Sequence, residues 1–168
     1  MTPLIVYMVL SDQAWWAVSL MVLAGFTDML DGAIARYCHQ KTTVGAYLDP
    51  LADKILLVSL FVSLFFMGEV PLFVFIAVVF RDTLIVLGAA MYQIFTGKLT
   101  MQPSLASKAT TFMQILYVSV LLLNMAMPMN TMLLTSLAWL VFGLTCISGV
   151  HYLVSWTYKA LGHERASQ

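Results

Sequence analysis

Residues 28–54 read DMLDGAIARYCHQKTTVGAYLDPLADK. The stretch joins the end of one apolar segment to the start of the next, and it carries four carboxylates: Asp28, Asp31, Asp49 and Asp53. An ionisable group at membrane depth costs roughly 2.5–3.5 kcal/mol on insertion scales and usually marks function. Four so close together call for cations. On a helix, residues three or four apart share a face, so Asp28 aligns with Asp31, and Asp49 with Asp53. Brought together by the intervening turn, the two pairs form a cage of hard oxygen ligands. Such a cage suits Mg²⁺ or Mn²⁺ and not metals that seek thiolate or imidazole. Gly32, Ala33, Ala35, Gly45 and Ala46 let helix backbones approach and leave room for a ligand. Arg36, one turn beyond Asp31, can grip a phosphate through two parallel hydrogen bonds. Together these features point to phosphoryl chemistry on a bulky substrate.

The rest of the chain supplies the setting. Its 168 residues are 61% hydrophobic and 10% charged, with a mean hydropathy of +0.92, far beyond a soluble domain. The expectation is an integral, multi-pass membrane protein. A formal net charge of zero argues against a nucleic-acid partner, which needs concentrated Lys and Arg. Two cysteines, Cys38 and Cys146, make no disulfide framework. The first residues have no basic n-region and no small-residue cleavage site, so they do not read as a removable signal peptide.

Spanning a bilayer takes about 20 apolar residues, and that length parses the sequence as a polytopic all-α bundle forming one domain over residues 1–168. Residues 1–10 are apolar but too short to cross, giving a partial first helix. Five full spans follow, at residues 14–37, 44–67, 72–95, 109–127 and 130–158, before a polar tail. Pro50 falls in the first turns of its run, where a missing N–H does least harm. Arg36, Lys41, Lys98, Lys108, Lys159 and Arg165 flank one set of turns, whereas the turns near Glu69 and Pro128 carry no Lys or Arg. The positive-inside rule therefore puts the four aspartates near the cytoplasmic face. Trp15, Trp16, Trp156 and Tyr158 fall where interfacial aromatic belts form.

The string D-x2-D-G-x2-A-R-x8-G-x3-D-x3-D is matched without a gap by Asp28, Asp31, Gly32, Ala35, Arg36, Gly45, Asp49 and Asp53. It resembles the signature of the CDP-alcohol phosphatidyltransferases. Within that family, LDPLADKIL (48–56) and PSLASKATTFMQ (103–114) are most similar to the CMP-forming cardiolipin synthases, relatives of the phosphatidylglycerophosphate synthases. The resemblance implies a six-helix fold, preceded by an amphipathic segment and the rest of the first helix. It also implies transfer of a phosphatidyl group from CDP-diacylglycerol to an alcohol with release of CMP. Two divalent ions, Mg²⁺ or Mn²⁺, would be held by Asp28, Asp31, Asp49 and Asp53. Asp53 would also accept the proton of the incoming hydroxyl, and Asp31, Gly32, Ala35, Arg36 and Gly45 would border the CDP moiety. A homodimer among membrane lipids, in a bacterial inner membrane, is the further implication.

The acceptor is the open question. Arg81 and Asp82 lie about ten residues into the third full span, where they either pair with each other or leave Arg81 to hold the phosphate of a second substrate. Arg81 is read as acceptor-binding, with Asp82 as its structural partner, and Lys108 is added because its surroundings are similar to the family's acceptor region. Related phosphatidylglycerophosphate synthases carry two arginines eight residues apart to receive glycerol 3-phosphate. This chain has Arg81 but Ala89, which favours phosphatidylglycerol as acceptor and cardiolipin as product, with glycerol 3-phosphate the alternative. His151, on an apolar segment, reads as a satisfied core residue. A reading from another class is a membrane cation or proton transporter subunit, because intramembrane carboxylates also line ion paths.

Overall fold

A computed structural model describes the backbone of residues 2–37, 43–96 and 105–166, and the side chains of residues 2–27, 30, 54–88 and 107–154. Among the described residues every regular element is a helix. In chain order these are α1 (Thr2–Leu10), α2 (Ala14–Tyr37), α3 (Thr43–Phe66), α4 (Leu72–Thr96), α5 (Leu105–Ala126) and α6 (Thr131–Ala166). Long apolar runs without internal breakers favour this, because a helix satisfies its own backbone groups.

The ends are set by local chemistry. After α1, Asp12 adopts φ 57°, a left-handed conformation that Asp tolerates better than most side chains. The Asp12 N–H donates to the Val9 carbonyl at 3.1 Å and the Gln13 N–H to Met8 at 3.0 Å, which is a Schellman closure. Gly68, with φ 81°, closes α3 the same way: its N–H reaches Phe65 at 3.0 Å and the Glu69 N–H reaches Leu64 at 3.0 Å. Asn130 caps α6, its side-chain oxygen accepting the Met132 N–H at 2.9 Å. Pro50 is the eighth residue of α3, so no N–H is available there for the Ala46 carbonyl.

Two boundaries differ from the sequence reading. Helix α5 begins at Leu105, four residues before the expected start, so Lys108 lies inside its first turns. Helix α6 continues through the polar tail to Ala166 and reaches 36 residues, since KALGHERA is rich in good helix formers.

Helix α6 packs against α4 and α5; α3 packs against α1, α4 and α5, and α2 against α1 and α5. One apolar core joins them. Leu57, Leu60, Phe61 and Leu64 of α3 recur at helical spacing and meet Val74 and Val78 of α4 and Tyr117, Val118, Leu121 and Leu122 of α5. The outside is also apolar: Phe66 and Met132 are each 78% exposed and Val22 67%. A helix apolar on all sides belongs in a lipid or a large core, and this bundle is small. Among the described residues, two stretches, Ser107–Ala126 and Thr131–Val154, are long and apolar enough to cross a membrane, and the described parts of α2 and α3, Ala14–Thr27 and Lys54–Phe66, are apolar as well.

Candidate active site

Against the apolar background, the polar groups gather inside. Arg81 and Asp82 of α4 are buried, with only 2% and 4% of their surface exposed. One carboxylate oxygen of Asp82, Oδ1, accepts from Arg81 Nη1 at 2.6 Å and from Lys54 Nζ of α3 at 3.2 Å. Arg81 Nη2 donates to the Ser107 carbonyl at 3.2 Å, to Ser107 Oγ at 2.8 Å and to Ser148 Oγ at 3.2 Å. The network thus binds α3, α4, α5 and α6 at one point. Among the described residues it holds two cations and one carboxylate, and Arg81 Nε is buried without a hydrogen-bond partner.

Below this layer the α5–α6 seam stays polar. Thr110 Oγ1 donates to the Leu144 carbonyl at 3.3 Å and Gln114 Nε2 to Thr145 Oγ1 at 3.4 Å. At the opposite end of the bundle, Asn124 Nδ2 donates to Glu69 Oε2 at 3.3 Å, tying α5 to the turn between α3 and α4.

The carboxylate motif lies on two consecutive helices. Asp28, Asp31, Gly32, Ala35 and Arg36 belong to the C-terminal part of α2, and Gly45, Asp49 and Asp53 to the N-terminal part of α3. Their side chains lie outside the described residues. No group of three or more His, Cys, Asp or Glu occurs among the described residues. What the fold adds is the neighbour: Lys54, the residue after Asp53, is the member of α3 that enters the Arg81–Asp82 network.

The acceptor candidates separate. Arg81 is committed to Asp82, Ser107 and Ser148, whereas Lys108 is exposed one residue beyond Ser107. Asp82 is the partner of Arg81 that the sequence suggested. His151, expected in the core, is exposed on α6; a helix apolar on all sides gives no signal for which face turns inward. Sequence reasoning missed Ser107, Ser148 and Gln114. The available signal was their recurrence, with Thr110 and Thr145, at three- and four-residue spacing in otherwise apolar runs.

Fold and site define a class: an all-helical, membrane-associated protein that buries a charged network beside a carboxylate-rich helix pair. The family model for CDP-alcohol phosphatidyltransferases matches residues 1–150, and the chain belongs to that family. It is 37% identical over 87 residues to the CMP-forming cardiolipin synthase of Rattus norvegicus, which covers 51% of this chain and 29% of that protein. It is 29% identical over 180 residues to a cardiolipin synthase (CMP-forming)/mitochondrial hydrolase fusion protein of Schizosaccharomyces pombe, covering 97% of this chain and 30% of the fusion. With the CDP-diacylglycerol–glycerol-3-phosphate 3-phosphatidyltransferase of Aquifex aeolicus the identity is 32% over 158 residues, 93% of this chain and 85% of that one. The chain therefore spans under a third of the rat and yeast proteins and most of the bacterial one.

Proposed function

We propose that the protein transfers a phosphatidyl group from CDP-diacylglycerol to an alcohol, releasing CMP, at the cytoplasmic face of a bacterial inner membrane. The observation that carries this reading is the uninterrupted eight-position motif on α2 and α3, within a chain whose family match runs over residues 1–150. In the reaction the acceptor hydroxyl oxygen bonds to the phosphorus that bears diacylglycerol, and the bond from that phosphorus to the CMP oxygen breaks. The hydroxyl proton passes to Asp53, and the electron pair leaves with CMP. Asp53 must come within hydrogen-bond reach of the hydroxyl to do this.

The donor set fits a hard divalent metal. Four carboxylates offer only oxygen ligands, and Asp82 already draws on the charge of Lys54 and Arg81. Asp28, Asp31, Asp49 and Asp53 would hold two Mg²⁺ or Mn²⁺ ions. Such ions, when bound, neutralise the pyrophosphate and the charge on the attacking and leaving oxygens. Gly32 and Gly45 leave space for the CDP moiety, beside Asp31 and Ala35, and Arg36 binds its phosphate. Five full spans complete the bundle, which works as a homodimer.

Phosphatidylglycerol is the preferred acceptor, giving cardiolipin, on the strength of Ala89 and the likeness to cardiolipin synthases. A second reading, with glycerol 3-phosphate as acceptor, is favoured by the Aquifex aeolicus relative, whose match covers 93% of this chain. Family membership favours either over a transporter subunit. The deciding experiment supplies purified protein with CDP-diacylglycerol, Mg²⁺ or Mn²⁺, and each acceptor in turn, and identifies the lipid product and CMP. Without CMP release from either mixture, the transferase reading fails.

A further inference from the structure

An acceptor that carries a phosphate needs a cation with donors to spare, and the two basic residues of the buried network differ in this respect. Arg81 is the less accessible: Nη1 is engaged by Asp82 and Nη2 by Ser107 and Ser148, and although Nε has no partner, only 2% of the residue is exposed. Lys54 has 27% of its side chain exposed. Its ammonium carries three N–H donors, and the hydrogen bond to Asp82 at 3.2 Å uses one. A cation so placed within a bundle with an apolar exterior is expected to face water or an anion, because lipid would be costly.

Position along α3 supplies the second observation. Lys54 follows Asp53, so their Cα atoms stand about 3.8 Å apart and the helix turns about 100° between them. In a glycerol phosphate the primary hydroxyl and the phosphate sit at opposite ends of a three-carbon chain. Adjacent positions on one helix, offset in this way around its axis, suit the two ends of such a molecule. We propose that Lys54, steadied by Asp82 and Arg81, is the cation that grips the phosphate of a glycerol phosphate acceptor, whether that group arrives as a lipid headgroup or as free glycerol 3-phosphate. Asp82 and Arg81 are then positioning residues, which moves the acceptor contact from Arg81 to its neighbour in the network. The proposal rests on the phosphatidyl-transfer reading above.

The test is steady-state kinetics of Lys54→Met and Lys54→Arg, with phosphatidylglycerol in mixed micelles as one acceptor and soluble glycerol 3-phosphate as the other. For whichever acceptor the unmodified protein consumes, Lys54→Met should raise the acceptor KM roughly ten- to hundredfold, the equivalent of one charge-assisted hydrogen bond. The KM for CDP-diacylglycerol should stay within about twofold, and Lys54→Arg should recover most of the loss. If Lys54→Met does not fold, Lys54→Gln, which keeps a polar group beside Asp82 and leaves the Arg81–Asp82 pair intact, is read the same way. An unchanged acceptor KM, or parallel rises in both KM values, would overturn the assignment and leave Lys54 a strut. An unmodified protein that uses neither acceptor refutes the underlying transferase reading instead.

Discussion

Asp82 is the residue whose loss the bundle should feel most. Its Oδ1 accepts from Arg81 at 2.6 Å and from Lys54 at 3.2 Å, so Asp82→Asn withdraws the charge that both cations face. Arg81, 2% exposed, has no water to turn to. Lys54 is partly exposed and its share must be discounted for solvent screening. Breaking a buried pair by removing one partner costs about 3–5 kcal/mol, and the carbonyl that Asn retains puts the expected loss near the lower figure, about 3 kcal/mol. For a chain of this size, about 2–4 °C is lost per kcal/mol, which predicts a fall of roughly 6–12 °C. The assay is thermal unfolding in detergent, followed by loss of the monodisperse peak. The matched control replaces all three charged residues at once, Lys54→Met, Arg81→Met and Asp82→Leu. Removing a whole buried network is far milder than orphaning part of it, so the triple variant should lose less than half as much. A transition for Asp82→Asn within about 2 °C of the parent, or a triple variant worse than the single one, would refute the reasoning.

Chelating divalent metal should abolish product formation, with Mg²⁺ or Mn²⁺ restoring it; Asp28→Asn and Asp49→Asn should each be inactive yet still insert, as membrane fractionation can check. A cysteine introduced near Lys41 or Lys98 should react with an impermeant reagent from the cytoplasmic side, and one near Glu69 from the other; reversed labelling would put the motif on the wrong face. Ala89→Arg should shift preference towards glycerol 3-phosphate by about 1.5–3 kcal/mol, the worth of a charge-assisted hydrogen bond, measured with both acceptors in competition.

The helices were legible because their signals are long and local. Residues 14–37 form one largely apolar run between two polar stretches of sequence, and α2 has those bounds. The turn at Gly68 was legible because a left-handed residue favours glycine. Signals weakened where a helix passed from apolar to polar sequence, and there α5 starts earlier and α6 ends later than hydropathy alone implied. For the site, the Arg81–Asp82 pair was legible as two neighbours in an apolar run. Its wider network was not: Lys54 stands 28 residues from Asp82, and Ser107 and Ser148 stand 26 and 67 residues from Arg81. Those partners are set by how α3, α5 and α6 pack on α4, and no local pattern encodes that. The carboxylate motif is the converse case, since its spacing is read directly from the sequence and its side chains lie outside the described residues.

The buried network also bears on what the bundle is for. If fastening α3 to α6 were its whole purpose, well-packed apolar residues of similar volume would serve as well or better, since burying ions costs several kcal/mol each before pairing offsets it. Four helices already share an apolar core around Phe61, Val74, Val78 and Tyr117, so fastening alone does not call for charge. Among the described residues the network instead holds one more cation than carboxylate, and it touches α3 at the residue next to the last motif aspartate. A surplus positive charge there is unfavourable among apolar side chains alone and favourable once an anion, whether a motif carboxylate or a phosphate, stands beside it. Under this view the cost of burying Arg81 and Asp82 is tied to binding a phosphate, and the network should tolerate apolar replacement in stability while failing in acceptor affinity. Measured on the triple variant, that divergence separates a functional network from a structural one.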